Sequence, residues 1–187
     1  MNIIGFVGSP HKNGSTAWTV EKILDGAREQ SASTQLFYAS ETDIKPCHGC
    51  LGCSGERGSC VIDDGMQDIY TALEAADALV LGSPIYMGQM SAQAKAFTDR
   101  LFAFASPRFS PRYKADHAGK KLILAWTQGN PDAEKFRAYY DYTKFMFNML
   151  EFDTQEVIVA GTRSGAASEQ SGLAKLLKPI GAGLLSK

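Results

Sequence analysis

NIIGFVGSPHKNGSTAWTVEKILDGAREQ, residues 2–30, passes from an apolar run through a short polar turn into an amphipathic pattern. Nearly continuous apolar character over 2–8 suits a strand buried on both faces. Ala17, Val20, Ile23, Leu24 and Ala27 fall on one face of a helix over 15–30, with Gly14 or Ser15 at its cap. The same alternation recurs along the chain. ADALVLGS (76–83), KKLILAWTQG (120–129) and EFDTQEVIVAG (151–161) read as further buried strands, and the more mixed STQLFYA (33–39) reads as an edge strand. Helical periodicity covers 66–76, 91–105 and 132–150, and a last helix over 169–185 is expected to end or kink at Pro179.

A β-α-β-loop-α-β-α-β-α-β-α order requires parallel strands joined by right-handed crossovers, with helices on both faces of the sheet. Five such strands favour the flavodoxin-like order 2-1-3-4-5, a three-layer α/β sandwich. The 187 residues suit one domain, 1–187, with a cysteine loop at about 44–65. A formal net charge of −1 implies no electrostatic pull toward nucleic acid or membrane. No apolar run approaches the ~20 residues of a membrane span. The amino terminus has no basic lead, so a cytoplasmic location with reduced thiols is expected.

Chemistry is concentrated in the turns. In GSPHKNGST (8–16), Gly5, Gly8 and Gly14 have the wrong spacing for GxGxxG, and no lysine follows Gly14 as a P-loop requires. Ser9, Asn13, Gly14, Ser15 and Thr16 remain, at a helix N-terminus. They make either a neutral cradle for a phosphate or an ordinary capping turn. GSPIYMGQMSAQAKAFTDR (82–100) places Pro84, Ile85, Tyr86, Met87 and Gly88 in a tight apolar turn beside it, suited to a flat ring or to core packing. Thr127, Gln128 and Gly129 end the next strand at the same edge, where open parallel sheets bind ligands.

CHGCLGCSGERGSC (47–60) holds all four cysteines, spaced C-x2-C-x2-C-x6-C, with Gly49, Gly52, Gly55 and Gly58 between them. Cys47, Cys50, Cys53 and Cys60 can wrap a compact iron–sulfur core. Zinc is a rival, although structural zinc sites favour two separated pairs. Bare redox thiols are another. Structural disulfides are disfavoured in a reducing compartment. His48 reads as loop filler.

Together, GSPHKNGST, SPIYMGQMSAQAKAFTDR and the four cysteines followed by VIDDGM resemble the flavodoxin-fold NAD(P)H-dependent FMN reductases, and within them the iron–sulfur flavoproteins. Two departures stand out: His11, where that family usually carries arginine, and Gly65, inserted between Asp64 and Met66. The resemblance implies that Ser9, Asn13, Ser15 and Thr16 hold the FMN phosphate, and His11 and Gly14 of the same turn are counted among the cofactor-binding residues. It places Pro84, Ile85, Tyr86, Met87 and Gly88 along the isoalloxazine; Thr127, Gln128 and Gly129, from their position at the same edge, are expected on the ring's far side. It gives Cys47, Cys50, Cys53 and Cys60 to a [4Fe-4S] cluster near a subunit interface, and so implies a homodimer or homotetramer. The implied activity is FMN-dependent electron transfer between that cluster and a small redox partner or ferredoxin, with NAD(P)H a possible donor. No side chain is expected to act as catalytic acid or base, since the flavin carries the chemistry. A cluster-free NAD(P)H-dependent FMN or quinone reductase is the first alternative, and a flavodoxin-type carrier without its own substrate the second.

Three weaker signals complete the reading. Tyr139, Tyr142 and Phe147 lie on an aromatic helix that is either an oligomer contact or a broad core helix. PRFSPRYKADHAGK (107–120) reads as a solvated connector, and Asp63 and Asp64 as the cap of the helix at 66.

Overall fold

The computed structural model describes residues 1–54, 60–105, 119–163 and 166–185. The connector 106–118 and the middle of the cysteine loop, with Gly55 and Gly58, lie outside the described residues. In chain order the elements are β1 (Asn2–Val7), α1 (Ser15–Arg28), β2 (Ser33–Tyr38), α2 (Met66–Ala75), β3 (Ala78–Tyr86) and β4 (Gln89–Met90). There follow α3 (Ala92–Arg100), α4 (Phe102–Ala105), β5 (Lys121–Thr127), α5 (Arg137–Met149), β6 (Asp153–Val159) and α6 (Leu173–Gly183).

Five strands run parallel in the order β2-β1-β3-β5-β6, which is the expected 2-1-3-4-5 topology with β2 at an edge. β1 sits between β2 and β3 with Gly5 opposite Leu36 on one side and Val80 on the other. The strand count is six rather than five, because β4 folds back antiparallel on the end of β3, pairing Ile85 with Met90 and Tyr86 with Gln89. Met87 (φ 50) and Gly88 (φ 80) make the two-residue turn between them, both in the left-handed region such hairpins need. Met-Gly lacks the usual Asn-Gly signal, so the sequence reads there as a plain loop.

Strand alternation divides the core. Ile4, Phe6, Leu79, Leu81, Leu124 and Trp126 face α2, α3 and α5. Ile3, Val7, Val80, Ile123 and Ala125 face α1 and α6. The two helices on that second face cross in backbone contact: a Cβ on Gly181 would stand 1.7 Å from the Ile23 carbonyl oxygen, and one on Gly26 1.9 Å from that of Lys178. Only glycine allows this approach, which fixes the seat of α1 and hence of its N-terminus.

Three local expectations are corrected. α6 runs through Pro179 to Gly183 rather than ending there; its packing on α1 through Leu177 and Gly181 outweighs the one lost amide bond. α5 begins at Arg137, not 132. Asn130 Oδ1 accepts the Asp132 N–H and Asp132 Oδ1 accepts the Glu134 N–H, so this stretch folds as side-chain-closed turns. On α5, Phe147 belongs to the core and Tyr139 bonds inward, whereas Tyr142 is exposed together with Phe145 and Met149. Among the described residues no helix is long and apolar enough to cross a membrane.

Candidate functional site

The turns after β1, β3 and β5 meet at one edge of the sheet and are bonded to one another. Thr16 and Thr127 share a buried hydroxyl–hydroxyl bond of 2.7 Å. The Gly8 N–H donates to the Gly82 carbonyl at 2.8 Å. Ser91 caps α3 by accepting the Ala94 N–H at 3.1 Å, and its own hydroxyl donates to the Gly8 carbonyl. Its N–H donates to Ser83 Oγ at 3.1 Å. Ser83 and Ser91 are thus the unexpected pins of this edge.

Within the first turn, Ser9 is buried and accepts the His11 N–H at 3.1 Å, and the His11 carbonyl accepts the Gly14 N–H at 3.2 Å. His11 and Asn13 are exposed. Gly14 is the N-cap of α1; no side chain caps the helix and no acid stands in its first turn. The first N–H groups of a helix have no intrahelical acceptor, and its dipole favours an anion there. This uncapped end therefore suits a phosphate. Ser15 is partly committed, its Oγ accepting the Ala167 N–H at 3.0 Å.

A pocket of about 380 Å³ opens at this end, lined by Asn13, Gly14, Ser15, Trp18, Arg163 and Ser168. Arg163 is a residue that sequence reasoning missed. It lies beyond β6 at the same carboxyl edge, and its Cβ stands 3.1 Å from where a Cβ on Gly129 would be. It puts a cation in the wall beside the turn that lacks an arginine at position 11.

The β3–β4 hairpin forms the next wall. Pro84 is buried, Ile85 packs on the core, Tyr86 is 46% exposed and Met87 fully exposed. Phe136 lies 3.7 Å from a Cβ built on Gly88, and the Tyr139 hydroxyl accepts the Met90 N–H at 3.1 Å. The hairpin is held from behind while its apolar tip stays free. Gln128 is differently employed. Its buried amide donates to the carbonyls of Asn130 (3.0 Å) and Asp132 (2.6 Å) and accepts the Tyr140 hydroxyl, so its side chain shapes the turn from within.

The cysteine loop leaves β2 at the same edge. All four cysteines are free; Cys47 and Cys50 are exposed, while Cys53 and Cys60 are half-buried. Burial pushes the Cys53 thiol up, and the charges of Cys60 and Cys47 act in the same direction. Among the described residues no three His, Cys, Asp or Glu side chains converge into a group ready to hold a metal ion. As a donor set, four free thiols on one loop fit iron–sulfur ligation.

The feet of that loop are fixed by an ion pair whose two side chains are both 0% exposed. Arg100 donates to the Asp64 carboxylate through Nη1 at 2.7 Å and Nη2 at 3.1 Å. The same nitrogens donate to the carbonyls of Lys45 (2.9 Å) and Ile62 (3.4 Å). Asp64 in turn accepts the N–H of Lys45 at 2.8 Å and of Met66 at 3.0 Å. Of the two expected caps, Asp64 serves α2 from the residue before the Gly65 N-cap, and Asp63 is exposed. Burial pushes the Asp64 carboxyl up, but the Arg100 hydrogen bond and the two backbone N–H groups outweigh it and hold it below the usual carboxylate range.

Comparison with known proteins agrees with this geometry. The NADPH-dependent FMN reductase family matches residues 1–163. An iron-sulfur flavoprotein of Methanosarcina thermophila is 34% identical over 142 residues, 76% of this chain and 72% of its own. Another, from Methanocaldococcus jannaschii, is 37% identical over 100 residues, 54% of this chain; the chain spans 51% of that relative. Among solved structures, an NAD(P)H:quinone oxidoreductase from Methanothermobacter marburgensis shares the fold with a TM-score of 0.79, over 100% of this chain and 98% of that one, at 14% identity.

Proposed function

The chain belongs to the NADPH-dependent FMN reductase family and is an FMN-dependent oxidoreductase, and from that premise we propose that it passes electrons between FMN and a [4Fe-4S] cluster. The observation that carries this reading is the position of four free cysteines on a loop that leaves the same sheet edge as the flavin-type turns. The names of the iron-sulfur flavoproteins it resembles support it.

In this reading the FMN phosphate lies at the N-terminus of α1. The first-turn N–H groups and the hydroxyls of Ser9, Ser15 and Thr16 hold it, with Asn13 and Arg163 at its outer side. Tyr86, Met87 and Gly88 lie along the ring and exclude water from one face, while the Thr127–Gly129 backbone borders it opposite. Gln128 acts indirectly, keeping that turn in shape. His11 contributes through its backbone, whose N–H and carbonyl close the turn on Ser9 and Gly14. Bound FMN supplies the exchange between two-electron and one-electron transfer. Cys47, Cys50, Cys53 and Cys60 ligate the cluster as thiolates, in a reducing cytoplasm. NAD(P)H or a ferredoxin-type protein is the donor, and the exposed Tyr142, Phe145 and Met149 of α5 form a contact between identical subunits.

Anaerobic purification followed by iron, sulfide and flavin assay tests the proposal. The expected yield is about four iron and four sulfide with one FMN per chain. FMN with neither iron nor sulfide, together with steady NAD(P)H oxidation, overturns it in favour of a cluster-free reductase. Arg163→Ala is expected to weaken FMN binding about tenfold to a hundredfold, the worth of a charge-assisted hydrogen bond. Flavin fluorescence titration checks this, and a change under about twofold removes Arg163 from the phosphate site.

A further inference from the structure

We infer that Arg100 is the positioning residue that closes the cysteine loop, gripping its two feet with one guanidinium. The loop's front foot is Lys45, two residues before Cys47; its back foot is Ile62, two residues after Cys60. Both feet give a backbone carbonyl to Arg100, and Asp64 accepts the front foot's N–H while pairing with the same guanidinium. Gln67 adds a second hold on the back foot, donating to the carbonyls of Cys60 (3.3 Å) and Ile62 (2.6 Å). The Tyr70 hydroxyl donates to the Arg100 carbonyl at 2.6 Å and fixes the residue from above.

Stability does not account for this arrangement. A fully buried ion pair is expensive to desolvate, and well-packed apolar side chains of similar size commonly do as well or better. What an apolar pair cannot do is bind two separate stretches of backbone. Only the planar fork of arginine offers four donors in directions that reach a carboxylate and two carbonyls together. With the feet held, the entropy of closing the loop is met by the folded protein and does not oppose assembly of a four-thiol site.

α3 also places this clamp relative to the flavin turns. Its cap, Ser91, bonds to Gly8 of the phosphate turn; its last residue is Arg100. Nine helical residues at about 1.5 Å each span roughly 13 Å, so one rigid helix sets the separation between the two regions.

The inference rests on the proposed cluster for what the loop carries, so its test reads the loop independently of iron. Two variants serve: Arg100→Lys, which leaves Asp64 a cation but removes the fork, and Gln67→Ala, which loosens only the back foot. Amide hydrogen exchange over 40–54 and 60–64 is expected to rise about tenfold or more in Arg100→Lys and less in Gln67→Ala, with β1 and β5 unchanged. Iron and sulfide per chain should fall below about half in Arg100→Lys while FMN content holds. Unchanged exchange at the feet overturns the inference, and so does a rise spread evenly over the sheet, which would mark Arg100 as a general stabiliser. Full iron in Arg100→Lys, with the feet opened, also overturns it. Should the unmodified protein take up no iron under anaerobic conditions, the cluster proposal fails and hydrogen exchange alone decides the clamp.

Discussion

Asp64→Ala is expected to destabilise the protein by about 3–5 kcal/mol, the cost of leaving a buried charge without its partner. Arg100 then keeps only two carbonyl acceptors, and its Nε already has none. Against the 5–15 kcal/mol typical of a native domain, this brings the chain near its unfolding threshold. Urea unfolding checks it, the midpoint falling at unchanged slope. A loss under about 1 kcal/mol would mean that water or a neighbouring group takes over from the carboxylate. The pH dependence carries a definite sign. Asp64 is held below the 3.8 of a free aspartate, so the unfolded chain binds its proton first as pH falls. Its stabilisation is complete above that value and is lost as pH drops through the lower folded one. The difference between the unmodified protein and Asp64→Ala should therefore be flat from neutral pH to about 5 and shrink only in stronger acid. Replacing both partners, as Arg100→Met with Asp64→Leu, should recover much of the stability while leaving the loop feet ungripped. That separates the energetic role of the pair from its positioning role.

The sheet order was legible because buried parallel strands and amphipathic helices carry strong periodic signals; β1 through α1 alone shows both. The turn after β1 was legible as a strand-to-helix junction, although its Ser, Asn, Gly and Thr suit a helix cap as well as a phosphate. What stayed hidden depends on tertiary partners. Arg100 reads as an ordinary helix residue unless one notes that it falls three after Phe97, on the face that Ala94 and Phe97 bury. A charge on an apolar stripe was the available signal. Gln128 looked like a ligand contact because of its place in a turn, yet its amide is occupied by Asn130, Asp132 and Tyr140, partners no local pattern reveals. Arg163 follows the last strand without a motif and enters the pocket wall only because that strand ends beside the turn after β1. The Met87–Gly88 hairpin escaped notice because it is held by Phe136, just before α5, and Tyr139 within it, and not by favourable turn residues.

Cys50→Ser is expected to abolish cluster assembly and leave FMN in place. A serine hydroxyl is a hard, protonated oxygen at neutral pH and a poor substitute for a thiolate on iron. Cys50 is exposed, and its sulfur lies 3.6 Å from a Cβ built on Gly52, inside the loop itself. The turns proposed to hold the flavin, by contrast, are pinned to one another through Ser83, Ser91, Thr16 and Thr127. Folding stability should change by no more than about 0.5 kcal/mol, as for other exposed substitutions. Iron should fall from about four per chain to less than half of that, with flavin still near one per chain. The variant also separates the two electron-transfer readings. Electrons that must pass through the cluster should lose their route, so turnover with a ferredoxin-type partner should collapse, whereas any direct NAD(P)H-to-flavin activity should persist. Full iron in Cys50→Ser would sink the four-cysteine assignment. Simultaneous loss of FMN would instead make the loop a wall of the flavin site, tying the cysteines and the phosphate turn into one cooperative unit rather than two regions joined by α3.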